Sequence, residues 1–292
     1  MTLVPTSHSY FSQRLKLRYV EWGKSDGPTL LLVHGQRDHS RNWDWVAQDL
    51  AKDYRIIAPD LRGHGDSDWA IGSSYAMRDY IADIAQLVNQ TTADDEKISI
   101  ICHSFGGAIA LRYAGVFPDK LNHIIAIEGL GPPQAMIKAM RGSTVHGGLS
   151  AWISALQNAA SRTPKKYASL DDAIARMQDE NSHLSYEQAK HLSVHGLIRN
   201  EDGTYTWKFD NYLRVVTPLS MTREDSKTLF ERISCPVLLL RGGKSWADPL
   251  ENDERVKYFS NVETHTIEDA GHWLHHDQLD EFLAVSRKFL EK

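Results

Sequence analysis

Short apolar runs alternate with helical patterns along most of this chain, and this alternation restricts the fold more than any other feature of the sequence. Between most of the runs, apolar residues recur at three- and four-residue spacing, which is typical of amphipathic helices. Uniformly apolar strands separated by helices indicate a parallel sheet covered on both faces, so we predict an α/β fold. The apolar runs are Leu30–Val33, Arg55–Ala58, Ile98–Cys102, Ile124–Ile127 and Val237–Leu240.

The same reasoning locates the helices and one edge of the sheet. Tyr10–Trp22 alternates imperfectly between apolar and polar residues, which predicts an antiparallel hairpin and hence a mixed sheet at that edge. Helices are predicted at Trp43–Ala51, Met77–Asn89, Phe105–Val116, Glu251–Tyr258 and Asp277–Glu291.

The pattern changes between Gly131 and about Ile233, where helix-like segments rich in Ala, Gln, Lys and Ser replace the strand-like runs. The strand pattern resumes at Cys235. We therefore expect one α/β core formed by residues 1–131 and 234–292, with a helical cap of residues 132–233 inserted after the sixth strand.

The composition argues against several classes of protein. With 292 residues, 41% of them hydrophobic, the chain can bury a large core, and its two cysteines have no metal-site spacing, so we expect no cofactor and no metal. A net charge of −5 without a run of Lys or Arg argues against nucleic acid as a partner. The start of the chain lacks a leader pattern and no apolar run approaches ~18 residues, which argues against a membrane partner and predicts a cytoplasmic protein, either a monomer or a homodimer.

One serine stands where a predicted strand passes directly into a predicted helix. Ser104 follows the run that ends at Cys102, and helix-like residues begin at Phe105. A sharp strand-to-helix turn exposes the hydroxyl above the sheet and brings helix N-terminal N–H groups to a developing oxyanion. Such a turn needs small residues two positions before and after the serine, and here Gly106 satisfies this while Cys102 replaces the usual Gly. We predict Ser104 as the nucleophile, with a helix-capping serine as the alternative.

A serine hydroxyl attacks efficiently only when an imidazole accepts its proton. Among 14 histidines, His272 follows a late predicted strand, Val262–Ile267, in a short loop before a helical pattern. We predict His272 as the base. A metal cluster of His272 with His275 and His276 is the alternative, although no carboxylate motif completes a zinc site there.

Two carboxylates are candidates to orient His272 through its other ring nitrogen. Glu128 directly follows the strand run Ile124–Ile127, and Asp248 lies in the loop after the next strand. Since adjacent parallel strands lie about 4.8 Å apart, both can reach one histidine loop. Asp248 before Pro249 is also a good helix N-cap, whereas Glu128 could instead pair with a buried Arg. We favour Glu128 and keep Asp248 as the alternative acid.

A loop of sequence His34-Gly35-Gln36 follows the first buried run. The backbone amides of Gln36 and Phe105 are predicted to form an oxyanion hole, in which loss of one donor typically costs ~10²–10³ in rate. An ordinary strand-end turn, for which Gly35 alone suffices, is the alternative.

Taken together, these motifs resemble the α/β-hydrolase fold superfamily and, within it, the capped serine hydrolase-like branch. The resemblance covers residues 10–130 and 234–290, and it implies an eight-stranded, mostly parallel sheet, no cofactor, and the chain order serine, acid, histidine. The motifs that carry it are Ser104, His272, the His34-Gly35 loop and the segment Pro59–Ser67, in which Gly63 and Gly65 turn the chain and Asp60 accepts loop amides.

The resemblance also bears on the identity of the acid. Many members place an Asp three residues after the glycine that ends the seventh strand, but that offset from Gly242 reaches Ser245. Other branches use a Glu after the sixth strand, which is the position of Glu128. The resemblance therefore favours Glu128.

These residues predict a serine hydrolase that cleaves a small-molecule carboxylic ester or lactone through an acyl-enzyme. Amide or C–C bond hydrolysis on the same triad, a ligand-binding receptor with slow hydrolysis, and a fold member with only a structural role are the alternatives. Cap side chains are candidates to line an apolar pocket, with plain helix packing as the alternative. They are Trp152, Tyr167, Trp207, Tyr212, Met136 and Met140.

The two cysteines are expected to be free thiols. Cys102 and Cys235 belong to the expected fifth and seventh strands, which lie two strand spacings or about 9.6 Å apart, beyond the ~7 Å limit for a disulfide.

Overall fold

The computed structural model describes residues 3–72, 75–132, 144–215, 217 and 221–292. The described strands are β1 (Thr6–Ser12), β2 (Leu15–Trp22), β3 (Thr29–Val33), β4 (Arg55–Pro59), β5 (Ile98–His103), β6 (Leu121–Ile127), β7 (Leu197–Arg199), β8 (Tyr205–Trp207), β9 (Val237–Gly242) and β10 (Val262–Ile267). The described helices are α1 (Asp44–Leu50), α2 (Met77–Thr91), α3 (Phe105–Val116), α4 (Val145–Ala160), α5 (Leu170–Glu180), α6 (Tyr186–Gly196), α7 (Arg223–Phe230), α8 (Leu274–Asp277) and α9 (Leu279–Leu290).

Eight strands form one sheet in the order β1-β2-β4-β3-β5-β6-β9-β10. β2 pairs antiparallel with both β1 and β4, whereas every other pairing in the sheet is parallel. The predicted α/β class and the mixed edge are therefore confirmed. Because the carboxyl ends of parallel strands share one edge, the turns that follow β3, β5, β6 and β9 meet there.

The central strands are buried on both faces of the sheet. In β3, Leu31 and Val33 join one apolar cluster with side chains of α2 and α3, while Leu30 and Leu32 join a second cluster with α1 and α9. Alternate side chains of a strand point to opposite faces, so both sets of positions lie in a core. Full burial of one such side chain contributes about 1.5–3 kcal/mol, which explains why these strands read as unbroken apolar runs.

One helix prediction is wrong. In place of a helix at Glu251–Tyr258, the chain forms two short 3-10 turns, Leu250–Asn252 and Glu254–Tyr258. Asp253 has extended backbone between them, and its carboxylate accepts the Arg255 backbone N–H at 3.0 Å, as an N-cap does. The capping interaction thus starts a new turn where a continuous helix was expected.

The other helix predictions agree with α1, α2, α3 and α9 to within a few residues. Phe105–Val116 matches α3 at both ends. The last helix begins at Leu279 instead of Asp277, because Gln278 has a non-helical backbone with φ −135° and ψ 60°.

The chain between Gly131 and Ser234, which we call the insertion, carries α4 to α7 in its described residues together with a two-stranded antiparallel ribbon of β7 and β8. The sequence analysis missed this ribbon, because strands of three residues are too short to show alternation. Small apolar clusters hold the insertion, and Trp45 of α1 packs against one of them from the core. A second small cluster lies around Tyr167 and Leu197. Phe230 of α7, together with Leu213 and Ile233, joins the first large cluster of the sheet.

Cys102 and Cys235 are both free and buried, in agreement with the expectation from the strand order. In the part of the chain that the structure describes, no helix has the length and apolar character needed to cross a membrane.

Candidate active site

Ser104 occupies a strained turn between β5 and α3. Its backbone has φ 52° and ψ −113°, a conformation that a residue with a side chain keeps only when its surroundings impose it. The Ser104 N–H donates to the Ile127 carbonyl at 2.8 Å. A Cβ added at Gly106 would lie 2.4 Å from the His34 carbonyl oxygen, so only glycine fits there. Cys102, in place of the usual Gly, is fully buried in β5.

His272 and Glu128 are joined by a short hydrogen bond. His272 Nδ1 lies 2.5 Å from Glu128 Oε2, and the two side chains are 10% and 2% exposed. Glu128 has φ 45° directly after β6, with its N–H donating to the Leu240 carbonyl at 2.9 Å. Its Oε1 accepts the Gly242 N–H at 3.1 Å, and its Oε2 also accepts the Ser245 hydroxyl at 2.7 Å. The buried carboxylate thus meets three donors, which fix its orientation toward the imidazole.

Asp248, the alternative acid, is exposed. With Glu128 and Trp246 it lines a cavity of about 50 Å³, but no hydrogen bond among the described residues joins it to His272. The 3-10 turn that follows has Pro249 as its N-cap without a side-chain hydrogen bond, so the capping expected of Asp248 is not seen. The Trp246 ring, 69% exposed, lies 5.1 Å from the His272 ring between centroids.

The loop that begins at His34 lies directly against Ser104. A Cβ added at Gly35 would be 3.5 Å from Ser104 Cβ. His34 supports the loop, since its Nδ1 donates to the Gly35 carbonyl at 2.6 Å and its Nε2 accepts the Leu61 N–H at 3.0 Å. Burial lowers the pKa of His34 to about 4, so the ring is neutral at pH 7 and can make both bonds.

The two predicted oxyanion donors belong to the turns that meet at Ser104. Phe105 is the first residue of α3, where backbone N–H groups have no partner within the helix, and Gln36 follows Gly35. Neither backbone N–H donates to another residue that the structure describes. The Gln36 side chain donates to the Leu213 carbonyl at 2.9 Å, which ties this loop to the insertion.

His103 was not predicted as a site residue, yet it contacts His272 directly. Its Nε2 lies 3.0 Å from the His272 carbonyl oxygen, and the two rings are 4.6 Å apart between centroids. Burial, followed by the charge of His272, holds the pKa of His103 well below its ordinary value, so the ring is neutral and donates through Nε2. Its position directly before Ser104 was the signal available in the sequence.

His275 and His276, the alternative metal partners of His272, are engaged elsewhere. His275 Nε2 is 2.8 Å from Asn42 Oδ1, and His276 Nε2 is 3.2 Å from the Asn42 carbonyl oxygen. Both rings are buried, and burial lowers the pKa of His276 to about 4. The described residues therefore do not bring the three histidines together as metal ligands.

The predicted pocket aromatics lie in different surroundings. Trp207 packs in a small cluster of the insertion, and its Nε1 donates to the Tyr167 hydroxyl at 3.2 Å. Tyr212 is 37% exposed on a 3-10 turn that packs against α4, the helix that carries Trp152. Two further candidates lie outside the described residues, Met136 and Met140.

Known proteins resemble this chain over most of its length. A family model described as "Alpha/beta hydrolase family" matches residues 30–285. Esterase Rv0045c of Mycobacterium tuberculosis is 25% identical over 276 residues, which cover 93% of this chain and 85% of that protein. Serine hydrolase-like protein 2 of Homo sapiens is 25% identical over 245 residues, 79% of this chain and 73% of the relative.

One further relative matches over a shorter stretch, and one solved structure shows the likeness of the fold. An uncharacterized protein of Mycobacterium tuberculosis, Rv2715, is 36% identical over 105 residues, which span only 30% of its length. Among solved structures, a thioesterase domain from the curacin biosynthetic pathway has a TM-score of 0.82 and 22% identity, covering 98% of this chain and 99% of that one. This likeness shows the shared fold.

Proposed function

The chain belongs to the alpha/beta hydrolase family, and on that premise we propose that it hydrolyses a carboxylic ester or lactone. In this proposal Ser104 is the nucleophile, His272 the general base and Glu128 the carboxylate that orients the histidine. The hydrogen bond of 2.5 Å between His272 Nδ1 and Glu128 Oε2 carries the proposal, because it leaves Nε2 of the ring as the free acceptor. Esterases among the relatives support the substrate class.

In the first half of the reaction, Ser104 Oγ attacks the substrate carbonyl while His272 Nε2 takes the hydroxyl proton. The imidazolium that forms is stabilised by the buried Glu128 carboxylate. The carbonyl oxygen becomes an oxyanion, to which the backbone N–H groups of Gln36 and Phe105 donate. His272 then returns the proton to the leaving alkoxide as the C–O bond breaks. The products of this half are an alcohol and an acyl-enzyme; for a lactone the alcohol stays attached to the acyl group.

In the second half, a water replaces the alcohol. His272 takes a proton from the water, the hydroxide attacks the acyl carbon, and the same two N–H groups stabilise the second oxyanion. The C–O bond to Ser104 breaks, and Oγ recovers its proton from His272. The strained turn contributes because it holds Oγ in one position through both halves.

We further propose that the insertion acts as a cap over this edge of the sheet, as residues 132–233 were expected to do. The bond from the Gln36 side chain to the Leu213 carbonyl supports this, because it joins the proposed oxyanion loop to the insertion. Trp152 and Tyr212 are the insertion aromatics that we assign to the acyl or alcohol group of the substrate.

Hydrolysis of short- and medium-chain p-nitrophenyl esters and of simple lactones tests the proposal. We expect Ser104→Ala to lower kcat at least about 10³-fold on any substrate that the wild type turns over. Ser9→Ala, at an exposed position of β1, serves as the matched control and should retain wild-type rates. Equal rates in Ser104→Ala and the wild type would show that another residue does the chemistry. Tight ligand binding without turnover on either substrate class would support the receptor alternative instead.

A further inference from the structure

A second polar cluster lies where α1 of the core meets α6 of the insertion. Asp44 is the first residue of α1, and His191 and His195 lie one turn apart on α6. One carboxylate oxygen or ring nitrogen from each residue lies within 4.8 Å of the others. Asp44 is buried and both histidines are partly buried. None of these residues takes part in the hydrolysis proposed for Ser104.

Part of this cluster already has the spacing of metal ligands. His191 Nε2 is 3.3 Å from Asp44 Oδ2. Ligands held 2.0–2.1 Å from a tetrahedral ion lie about 3.3 Å apart. The ligand nitrogen of His195 lies within 4.8 Å of the ligand atoms of Asp44 and His191. It therefore needs to move at most about 1.5 Å closer to them to reach the same spacing. Two imidazoles and one carboxylate suit zinc and its transition-metal neighbours, whereas Ca²⁺ and Mg²⁺ prefer all-oxygen sites.

The positively charged guanidinium of Arg41 contacts both Asp44 and His195. Its Nε and Nη2 donate to the two Asp44 carboxylate oxygens at 2.8 and 2.6 Å, and its Nη1 lies 3.4 Å from His195 Nδ1. The contact implies that His195 Nδ1 carries a lone pair, since a guanidinium can only donate. The Arg41 side chain is 18% exposed, so it has a path to solvent when another cation takes its place.

His191 Nε2 lies 3.1 Å from the Arg41 carbonyl oxygen as well as close to the Asp44 carboxylate. Both oxygens can only accept, so this nitrogen carries the ring proton and donates it. A metal that binds at Nε2 therefore moves this proton to Nδ1 of the ring or to solvent.

We propose that Asp44, His191 and His195 form a binding site for a transition-metal dication such as Zn²⁺, which displaces the Arg41 guanidinium and ties the insertion to the core. Water completes the coordination, because only three protein ligands are present. His191 and His195 have the i, i+4 spacing that places two histidines on one helix face, but Asp44 lies far away in the chain, so the three were not connected in the sequence analysis.

Calorimetric titration with Zn²⁺ and the visible spectrum of the Co²⁺ complex test the site. We expect one ion per chain, a Co²⁺ spectrum of nitrogen and oxygen coordination, and a higher thermal unfolding midpoint with Zn²⁺. His195→Gln should weaken Zn²⁺ binding at least about tenfold, whereas Arg41→Gln should strengthen it because the competing cation is gone. His265→Gln, an exposed histidine of β10, is the matched control and should bind as the wild type does.

Three results would overturn the site. Unchanged Zn²⁺ affinity in His195→Gln would place the ion elsewhere, and loss of binding in His272→Ala but not in His195→Gln would place it at the proposed triad. Absence of binding in both the wild type and Arg41→Gln would show that the cluster holds no metal. Ser104→Ala should bind Zn²⁺ as the wild type does, because Ser104 does not belong to the cluster. The Zn²⁺ test therefore remains valid even if the hydrolysis proposal fails.

Discussion

The core and the insertion constrain their side chains to different degrees. In the core, Ser104 and Glu128 are held at positive φ by backbone hydrogen bonds, and Gly106 packs so closely that no side chain fits. In the insertion, Trp207 packs in a small cluster and Tyr212 is exposed. The sheet thus fixes the groups that we assign to the chemistry, whereas a region with less apolar burial carries those that we assign to the substrate.

The largest effect is expected from the carboxylate that the sheet holds in place. Glu128→Gln should lower kcat by about 10³–10⁴, because the amide no longer stabilises the imidazolium and favours the wrong tautomer. Asp248→Asn, its matched control at an exposed position, should stay within about twofold of the wild type. Steady-state kinetics on one p-nitrophenyl ester measures both. A large loss in Asp248→Asn with an active Glu128→Gln would reverse the assignment of the acid.

The next largest effect is expected in the free energy of unfolding, which should fall at acid pH because of buried histidines in the core. Burial holds the pKa of His34 at about 4 and that of His64 at about 3, so the folded state keeps these rings neutral while the unfolded state protonates them near the ordinary value of about 6.5. The unfolded state then binds more protons, and stability falls as pH decreases from about 6.5 toward 4. His34 alone accounts for about 3 kcal/mol of this fall.

Urea unfolding at several pH values measures this fall in stability. His265→Gln, which removes an exposed histidine of β10, should leave the pH dependence unchanged. A free energy of unfolding that stays level from pH 6.5 to 4 would show that the folded core accepts these protons.

A pair of glycine substitutions compares the packing of the two regions. Gly106→Ala should destabilise the protein by about 2 kcal/mol or more, because the added Cβ meets the carbonyl oxygens of His34 and Val33 at 2.4 and 2.5 Å. Gly147→Ala, in the first turn of α4, meets only Thr144 Oγ1 at 3.2 Å and should change stability by less than about 1 kcal/mol. Urea unfolding of both variants gives the difference. Equal losses would contradict a core packed more tightly than the insertion.

The smallest effect is expected in the insertion itself. Tyr212→Ala should raise KM by a few-fold, about 1 kcal/mol or less, with kcat unchanged, since the side chain is assigned to binding and not to the transition state. Kinetics on short and long acyl chains measures this, and the change should grow with chain length. A loss confined to kcat would assign Tyr212 to the chemistry.

Much of the fold could be predicted because its signals are local. Strands buried on both faces must be apolar at every position, so the runs at Leu30–Val33 and Val237–Leu240 were visible without knowledge of their partners. The ribbon of β7 and β8 was missed because three residues show no periodicity, and the break at Asp253 was missed because a single capping carboxylate decides it.

The candidate site could be proposed from sequence only where a residue type and a strand end coincide. Ser104, Glu128 and His272 each follow a strand, and each was therefore a candidate from sequence. Ser245 was noticed only as a position where the resemblance to the superfamily implies an Asp in many members, and its bond to Glu128 depends on the packing of two loops. The contact of His103 with the His272 carbonyl likewise depends on tertiary structure.

Labelling with a fluorophosphonate tests the central claim most directly, because the reagent reacts with an activated serine oxygen and loses fluoride. Peptide mass analysis of the labelled wild type should find one phosphonylated residue, Ser104, and His272→Ala should label at least about 10²-fold more slowly. Label on a different residue, or equal labelling of Ser104→Ala, would contradict the assignment of Ser104 as the nucleophile.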